Sequence, residues 1–196
     1  MFNCASSESD FDGAEVPLPE EAPRLVALSA DGGLASAGAR HLLEIASVRL
    51  PGIAPSEAMI LNRLAAAEID LALMTEASHG MARSVCNRRG IRPFVLSDQG
   101  GAVDIPTQGA RTPRRTRAAA RAERLARLCQ ARGIPFSRVA VVAVSPLDTA
   151  ALMEAGCAIA LRDASYEACR AADVVLPSRA EGGLVQAIKL ILSAAL

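Results

Sequence analysis

The chain has 196 residues, of which 51% are hydrophobic, and this is the size and composition of one domain with its own core. Its 21 basic and 21 acidic side chains balance, so the molecule as a whole carries no charge that would attract nucleic acid, an anionic membrane or an acidic substrate. Any such partner would have to bind a local patch.

The cysteines and the apolar runs bear on the compartment. The five cysteines are odd in number, widely scattered and without a CxxC pair, so they indicate neither a disulfide framework nor a zinc site and suit a reducing cytoplasm. The acidic N-terminal segment does not resemble an export signal, and no run reaches the roughly 20 apolar residues that a membrane span needs. We therefore predict a cytoplasmic protein that contacts no membrane.

The N-terminal part divides into a tail and a first strand. Residues 1–22 are rich in Ser, Asp, Glu and Pro, and such a composition buries too little apolar surface to offset chain entropy, so we expect a disordered tail. The folded domain, residues 23–196, then begins with a buried strand at Arg24–Leu28. This strand leads into a turn at Ala30-Asp31-Gly32-Gly33.

Helices and strands alternate along the rest of the chain. Apolar spacing, cap candidates such as Ser56, and closing glycines predict helices at 56–67, 79–89, 117–132, 149–155, 166–171 and 183–195. Short apolar runs predict strands at 69–74, 93–96, 139–144, 157–161 and 174–176. This alternation predicts an α/β fold with a mainly parallel sheet, helices on both faces, and ligand binding beyond the carboxyl ends of the strands.

One stretch interrupts the alternation. Residues 97–119 hold several Gly, Pro, Gln and Thr residues, followed by the arginines Arg111, Arg114, Arg115 and Arg117. This composition predicts a flexible basic loop.

Five segments, taken in chain order, carry a resemblance to a known family. They are Leu28-Ser-Ala-Asp-Gly-Gly-Leu34, Val139-Ala-Val-Val-Ala-Val144, Leu152-Met-Glu-Ala-Gly-Cys-Ala-Ile-Ala-Leu-Arg-Asp-Ala164, Ala171-Ala-Asp-Val-Val175 and Gly182-Gly-Leu-Val185. From about residue 24 to 196 the chain resembles the KDO 8-phosphate phosphatase branch of the haloacid-dehalogenase (HAD) superfamily, which is also similar to the C-terminal domain of some acylneuraminate cytidylyltransferases. The resemblance implies a Rossmannoid three-layer sandwich without a large cap domain.

The active site of that family is acidic because of its chemistry. A first aspartate attacks phosphorus, a second one two residues later moves the leaving group's proton, and a further acidic pair helps to hold Mg²⁺. The resemblance places Ser29 at the nucleophile position and Asp31 at the acid/base position. A neutral serine with no histidine near it in sequence is a poor nucleophile, and it also removes a magnesium ligand.

The other motif positions are altered as well. The resemblance assigns phosphate binding to Thr75, to Arg121 in place of the family's lysine, and to backbone amides near Gly32. Ser145 and the proline after it stand where the family has adjacent acids. Asp148 lies one residue away from the position of the family's third acid and is a shifted substitute for it.

These departures predict a catalytically impaired pseudophosphatase with a scaffolding, regulatory or ligand-sensing role and no resident metal. The alternative is a Mg²⁺-dependent sugar-phosphate phosphatase with a rearranged site, for which Asp31, Asp148 and Ser145 are the residual metal-ligand candidates. A further alternative is binding of nucleic acid or another anion through the Arg-rich loop. That loop lacks the interleaved aromatic residues of a platform for single strands.

Each candidate residue also has a purely structural interpretation. Asp31 can cap the backbone of its own turn, Thr75 can bond to backbone at a strand end, and Arg121 can belong to a solvated arginine face of its helix. Four of the cysteines and three of the methionines are expected in the core. They are Cys86, Cys129, Cys157, Cys169, Met59, Met74 and Met153.

The resemblance also bears on partners. Relatives in this branch are typically tetramers built around a projecting β-hairpin, and the corresponding segment 35–50 retains Leu42, Leu43, Ile45 and Val48. We therefore expect a homo-oligomer. A phosphorylated small ligand or a protein is the expected further partner, in preference to nucleic acid.

Overall fold

A computed structural model of the chain describes residues 21–30, 53–99 and 114–195, with side chains described from residue 117 onward in the last range. Within these ranges the short apolar runs of the sequence form six strands. The strands are β1 Leu25–Ser29, β2 Asp70–Thr75, β3 Phe94–Ser97, β4 Val139–Ala143, β5 Cys157–Leu161 and β6 Val174–Leu176. They form one sheet in the order β3-β2-β1-β4-β5-β6, and every neighbouring pair is parallel. The prediction of a parallel α/β sheet is confirmed.

Several predictions fall outside the described residues. They concern the tail before residue 21, the segment 35–50, the greater part of the basic loop 97–119, and the positions Asp31 and Gly32.

Within the described ranges six α-helices pack on the two faces of the sheet. They are α1 Pro55–Ala66, α2 His79–Asn87, α3 Arg114–Arg132, α4 Thr149–Glu154, α5 Tyr166–Ala171 and α6 Gly183–Ser193. Buried residues of α1, α2 and α6 join one apolar cluster, and buried residues of α3, α4 and α5 join a second. The sheet lies between the two layers, so the described chain is a three-layer sandwich, and no large cap domain is inserted into its described ranges.

The alternation of side chains along β1 shows how the two clusters are separated. Leu25 and Ala27 face the α3 layer, whereas Val26 and Leu28 face the α1 layer, as expected for a strand that is buried on both sides. Since β1 lies between β2 and β4, it is a central strand, and all five of its residues are buried.

The turn before β5 requires a glycine. The peptide nitrogen of Gly156 donates a 2.9 Å hydrogen bond to the Phe136 carbonyl. A Cβ added at Gly156 would lie 2.0 Å from the carbonyl oxygen of Ser137, so only glycine allows the two backbones to approach this closely.

Some element boundaries and core assignments were predicted wrongly. Ala54, not Ser56, is the N-cap of α1, and its peptide nitrogen donates to the Glu57 carboxylate at 2.8 Å. The helix α3 begins at Arg114, three residues earlier than predicted, so part of the expected flexible loop is helical. Met59 and Met153 are 70% and 75% exposed, because each lies on the outer side of its helix.

The four described cysteines occupy core positions as expected, and none of them forms a disulfide. Burial raises the pKa of the Cys86, Cys129 and Cys157 thiols to about 11. Among the described helices none combines the length and the apolar character that crossing a membrane would require.

Candidate functional site

The candidate site lies where the strand order reverses between β1 and β4, which is the usual ligand position in an open α/β sheet. Ser29 is the last residue of β1, and Thr75 is the last residue of the neighbouring strand β2. Ser145 and Asp148 follow the end of β4. These four predicted site residues therefore all lie at the carboxyl edge of the sheet.

An ion-pair network fills this edge. Nη1 of Arg121 donates to Asp148 Oδ1 at 2.7 Å, and its Nε donates to the Asp98 oxygens at 3.2 and 3.3 Å. Nη2 of Arg121 also donates to Asp98, which in addition accepts from Arg124. The side chains of Arg121 and Asp148 have no exposed area, whereas Asp98 is 13% exposed. Among the described residues the network thus holds two cations and two anions, whose formal charges balance.

The position of Arg121 on α3 explains its burial. The helix packs against the sheet through Ala118, Ala122, Leu125 and Cys129, which recur at helical spacing. Arg121 lies four residues before Leu125 and therefore on this inward stripe, not on a solvated face. The solvated-face interpretation of Arg121 was wrong, and it is also wrong for Arg124, which is 7% exposed.

The Asp148 carboxylate is fully engaged within the chain. One oxygen accepts from Arg121, and the other accepts from the peptide nitrogen of Ser145 at 3.1 Å. Burial raises the pKa of Asp148 above its usual value, while the positive charge of Arg121, the nearby Ser29 hydroxyl and the Ser145 peptide nitrogen oppose that rise. The Ser145 hydroxyl accepts from the Leu147 nitrogen at 3.2 Å, so it caps the short turn that carries Asp148.

Ser29 is 3% exposed and faces the α3 layer, as do the two alternate residues before it. Its hydroxyl lies near enough to Asp148 to help hold the pKa of that carboxyl down. By strict geometric criteria, however, Ser29 Oγ makes no hydrogen bond within the described residues. Proximity of the hydroxyl dipole is sufficient for its influence on that pKa.

Hydrogen bonds of two hydroxyl groups, those of Thr75 and Ser97, connect the end of β2 with the end of β3. Thr75 Oγ1 accepts from the Ala77 nitrogen at 3.0 Å, and the Ser97 hydroxyl donates to the Ala77 carbonyl at 2.5 Å. The Asp98 nitrogen donates to the Thr75 carbonyl at 2.8 Å. These bonds fix the turn that presents the Asp98 carboxylate to Arg121.

The carboxylates described at this edge are not suitable ligands for Mg²⁺. The ion needs carboxylate oxygens that are free to coordinate it, but both Asp98 and Asp148 are bonded to Arg121. The guanidinium group would also repel a divalent cation placed between them. No group of three or more acidic, histidine or cysteine side chains within the described ranges has the arrangement of a metal site.

The sequence did not identify Asp98 and Arg124 as members of the site. Asp98 directly follows the last residue of β3, and this position at a carboxyl strand end was a usable signal. Arg124 lies three residues after Arg121 and thus on the same side of α3. His79, by contrast, begins α2 and takes no part in the network.

Solved structures resemble this arrangement of strands and helices. The cobalt-bound deoxy-D-mannose-octulosonate 8-phosphate phosphatase of Haemophilus influenzae is 17% identical, with a TM-score of 0.66 over 89% of this chain and 90% of that one. The fold is HAD-like. The 3-deoxy-D-manno-octulosonate 8-phosphate phosphatase of Moraxella catarrhalis, solved with magnesium, phosphate and KDO, is 20% identical, with a TM-score of 0.64 over 89% of this chain and 88% of that one.

A third HAD-like structure, from Legionella pneumophila, is described as a subfamily III A hydrolase. It is 18% identical, with a TM-score of 0.66 over 89% of this chain and 85% of that one. No protein-family model and no curated protein matches the sequence itself. At these identities the likeness shows the HAD-like fold.

Proposed function

We propose that this chain is a HAD-like pseudophosphatase, which does not hydrolyse phosphate esters and serves in binding or scaffolding. The observation that carries the proposal is the burial of Arg121 between Asp98 and Asp148. The resemblance to KDO 8-phosphate phosphatases gives position 121 the task of holding a substrate phosphate. Here two carboxylates of the chain itself take the place that such a phosphate would need.

Electrostatics supports this interpretation. A phosphate dianion that approached Arg121 would have to displace Asp98 or Asp148, and each carboxylate is also held by a second partner. Its negative charge would meet theirs in a poorly solvated region, where charges of equal sign interact strongly. The internal network therefore competes with substrate for Arg121, whose side chain has no exposed area.

The nucleophile position points the same way. Hydrolysis through a covalent intermediate needs an ionised or strongly activated oxygen, and a serine hydroxyl requires a neighbouring base. The Asp148 carboxylate, whose pKa the Ser29 hydroxyl influences, accepts a hydrogen bond at each of its two oxygens from other groups. The Arg121 and Ser145 donors therefore compete with the Ser29 hydroxyl for the Asp148 oxygens.

The decisive test is Mg²⁺-dependent phosphate release from KDO 8-phosphate and from an aryl phosphate by the purified full chain. We expect no turnover above that of a blank without protein. Turnover that disappears in the Asp31→Ala and Asp148→Asn variants, but persists in the exposed-site control Arg127→Gln, would establish the rearranged phosphatase instead. Turnover that survives in all variants would identify a contaminating enzyme and would leave the proposal standing.

As part of the same proposal, we infer that the chain forms a homo-oligomer. The support is the resemblance to a tetrameric branch and the apolar content of segment 35–50, which lies outside the described residues. Light scattering coupled to size-exclusion chromatography should give a mass of several chains, with a tetramer expected. A chain that stays monomeric at micromolar concentration would contradict this part of the proposal.

A further inference from the structure

A cavity lies at the edge of the sheet opposite to Arg121. It has a volume of about 550 Å³ and is formed where α2 ends and β3 begins. Its lining includes Arg83, Asn87, Arg92 and Phe94. This volume is within the range of roughly 300–1,000 Å³ that is usual for small-molecule pockets.

The cavity lining includes two arginines and no acidic residue, although the whole chain is neutral. Between residues 77 and 97 the sequence has four arginines, Arg83, Arg88, Arg89 and Arg92, and no acidic residue. Within the described part of the chain, Arg83 and Arg92 form no ion pair, so their guanidinium groups are available to a ligand. Two guanidinium groups that line one cavity favour a phosphate, because each can donate two hydrogen bonds to its oxygens.

The aromatic wall indicates what else the ligand carries. The guanidinium group of Arg132 lies 5.3 Å from the centre of the Phe94 ring and is itself held by Asp70 at 2.9 Å. Phe94 nevertheless remains 38% exposed. An exposed ring that is fixed in place offers a stacking surface for a flat, unsaturated ligand group.

We propose that this cavity binds a phosphorylated small molecule with a flat heterocyclic ring, of which a nucleoside diphosphate is the representative. Arg83 and Arg92 hold the phosphates, and the ring packs against Phe94. The Asn87 side chain, which can both donate and accept hydrogen bonds, meets the polar edge of the ring. This proposal is independent of the pseudophosphatase proposal, since it uses none of the residues near Arg121.

Isothermal titration calorimetry on the full chain tests the proposal with ADP, ribose 5-phosphate and inorganic phosphate. We expect ADP to bind most tightly, and ribose 5-phosphate to bind at least about tenfold more weakly because it lacks both the heterocyclic base that stacks and the second phosphate. The Arg83→Gln/Arg92→Gln variant should weaken ADP binding by about tenfold or more. The Phe94→Leu variant should weaken ADP binding and leave the binding of inorganic phosphate unchanged.

A matched control removes the same charge elsewhere. The Arg63→Gln/Arg170→Gln variant replaces two exposed arginines outside the cavity and should leave the ADP affinity within about twofold. Circular dichroism verifies that every variant is folded, as expected for substitutions at exposed positions. The proposal is overturned if ADP does not bind at about millimolar concentration, if ribose 5-phosphate binds as tightly, or if the control variant loses as much affinity as the cavity variant.

Discussion

Replacing Arg121 by Met tests whether the internal network has the electrostatic importance that its geometry implies. The variant keeps most of the side-chain volume but leaves Asp148, which has no exposed area, without its main counter-charge. Removing one partner of a buried ion pair typically costs about 3–5 kcal/mol, out of a total stability of roughly 5–15 kcal/mol. We therefore expect the free energy of unfolding of Arg121→Met, measured in urea at pH 8, to fall by about 3–5 kcal/mol.

The pH dependence of this loss identifies its cause. Without Arg121, the pKa of Asp148 in the folded state rises further, so the folded variant retains a proton that the unfolded chain releases. Stability falls with rising pH wherever the folded state binds more protons than the unfolded state. The loss in Arg121→Met should consequently be larger at pH 8 than at pH 5.

Two further variants separate the network from general effects of substitution. Arg127→Met removes an exposed α3 arginine that pairs with Glu123, and we expect a change within about 0.5 kcal/mol. The double variant Arg121→Met/Asp148→Leu should be more stable than Arg121→Met, because no buried charge is left uncompensated. A loss below about 1 kcal/mol in Arg121→Met, or an equal loss at pH 5 and pH 8, would refute the reasoning.

Two other predictions follow from the packing. Gly156→Ala should lower the free energy of unfolding by about 1–3 kcal/mol, because the new methyl group meets the Ser137 backbone. In the control Gly80→Ala the methyl group meets nothing within 4 Å, so the free energy of unfolding should not fall. Equal urea midpoints for the two variants would contradict the close approach at Gly156. Burial raises the pKa of the Cys86 and Cys129 thiols to about 11, so at pH 8 they should react with iodoacetamide on the order of a hundredfold more slowly in the folded chain than in urea. Peptide mass mapping measures the labelling of each thiol. Similar labelling rates in the two states would contradict the prediction.

The order of elements was predictable from the sequence because each strand is a short apolar run that ends at a turn signal. The strands β5 and β6 and the helix α5 have the predicted bounds. The methionines at 59 and 153 were misplaced, because side-chain character alone does not say which side of a helix faces the core. Burial depends on the partner that the helix packs against, and that partner lies elsewhere in the chain.

The candidate site was predictable only in part. Ser29, Thr75, Ser145 and Asp148 were placed at strand ends, and the structure locates them at one edge of the sheet. The burial of Arg121 was missed because base rates place arginine at the surface. Its main partner, Asp98, lies 23 residues earlier in the chain, and no local spacing rule connects two residues at that distance.

The strand order also has a consequence for how the chain folds. The strands β1, β2 and β3 and the strands β4, β5 and β6 are each neighbours in sequence, whereas Leu25 of β1 pairs with Val139 of β4 across most of the described chain. Contacts between distant parts of a chain form late, because the entropy lost on closing the loop between them must first be offset. We expect the two βαβ halves to collapse first, and the joining of β1 to β4 to limit the rate of refolding.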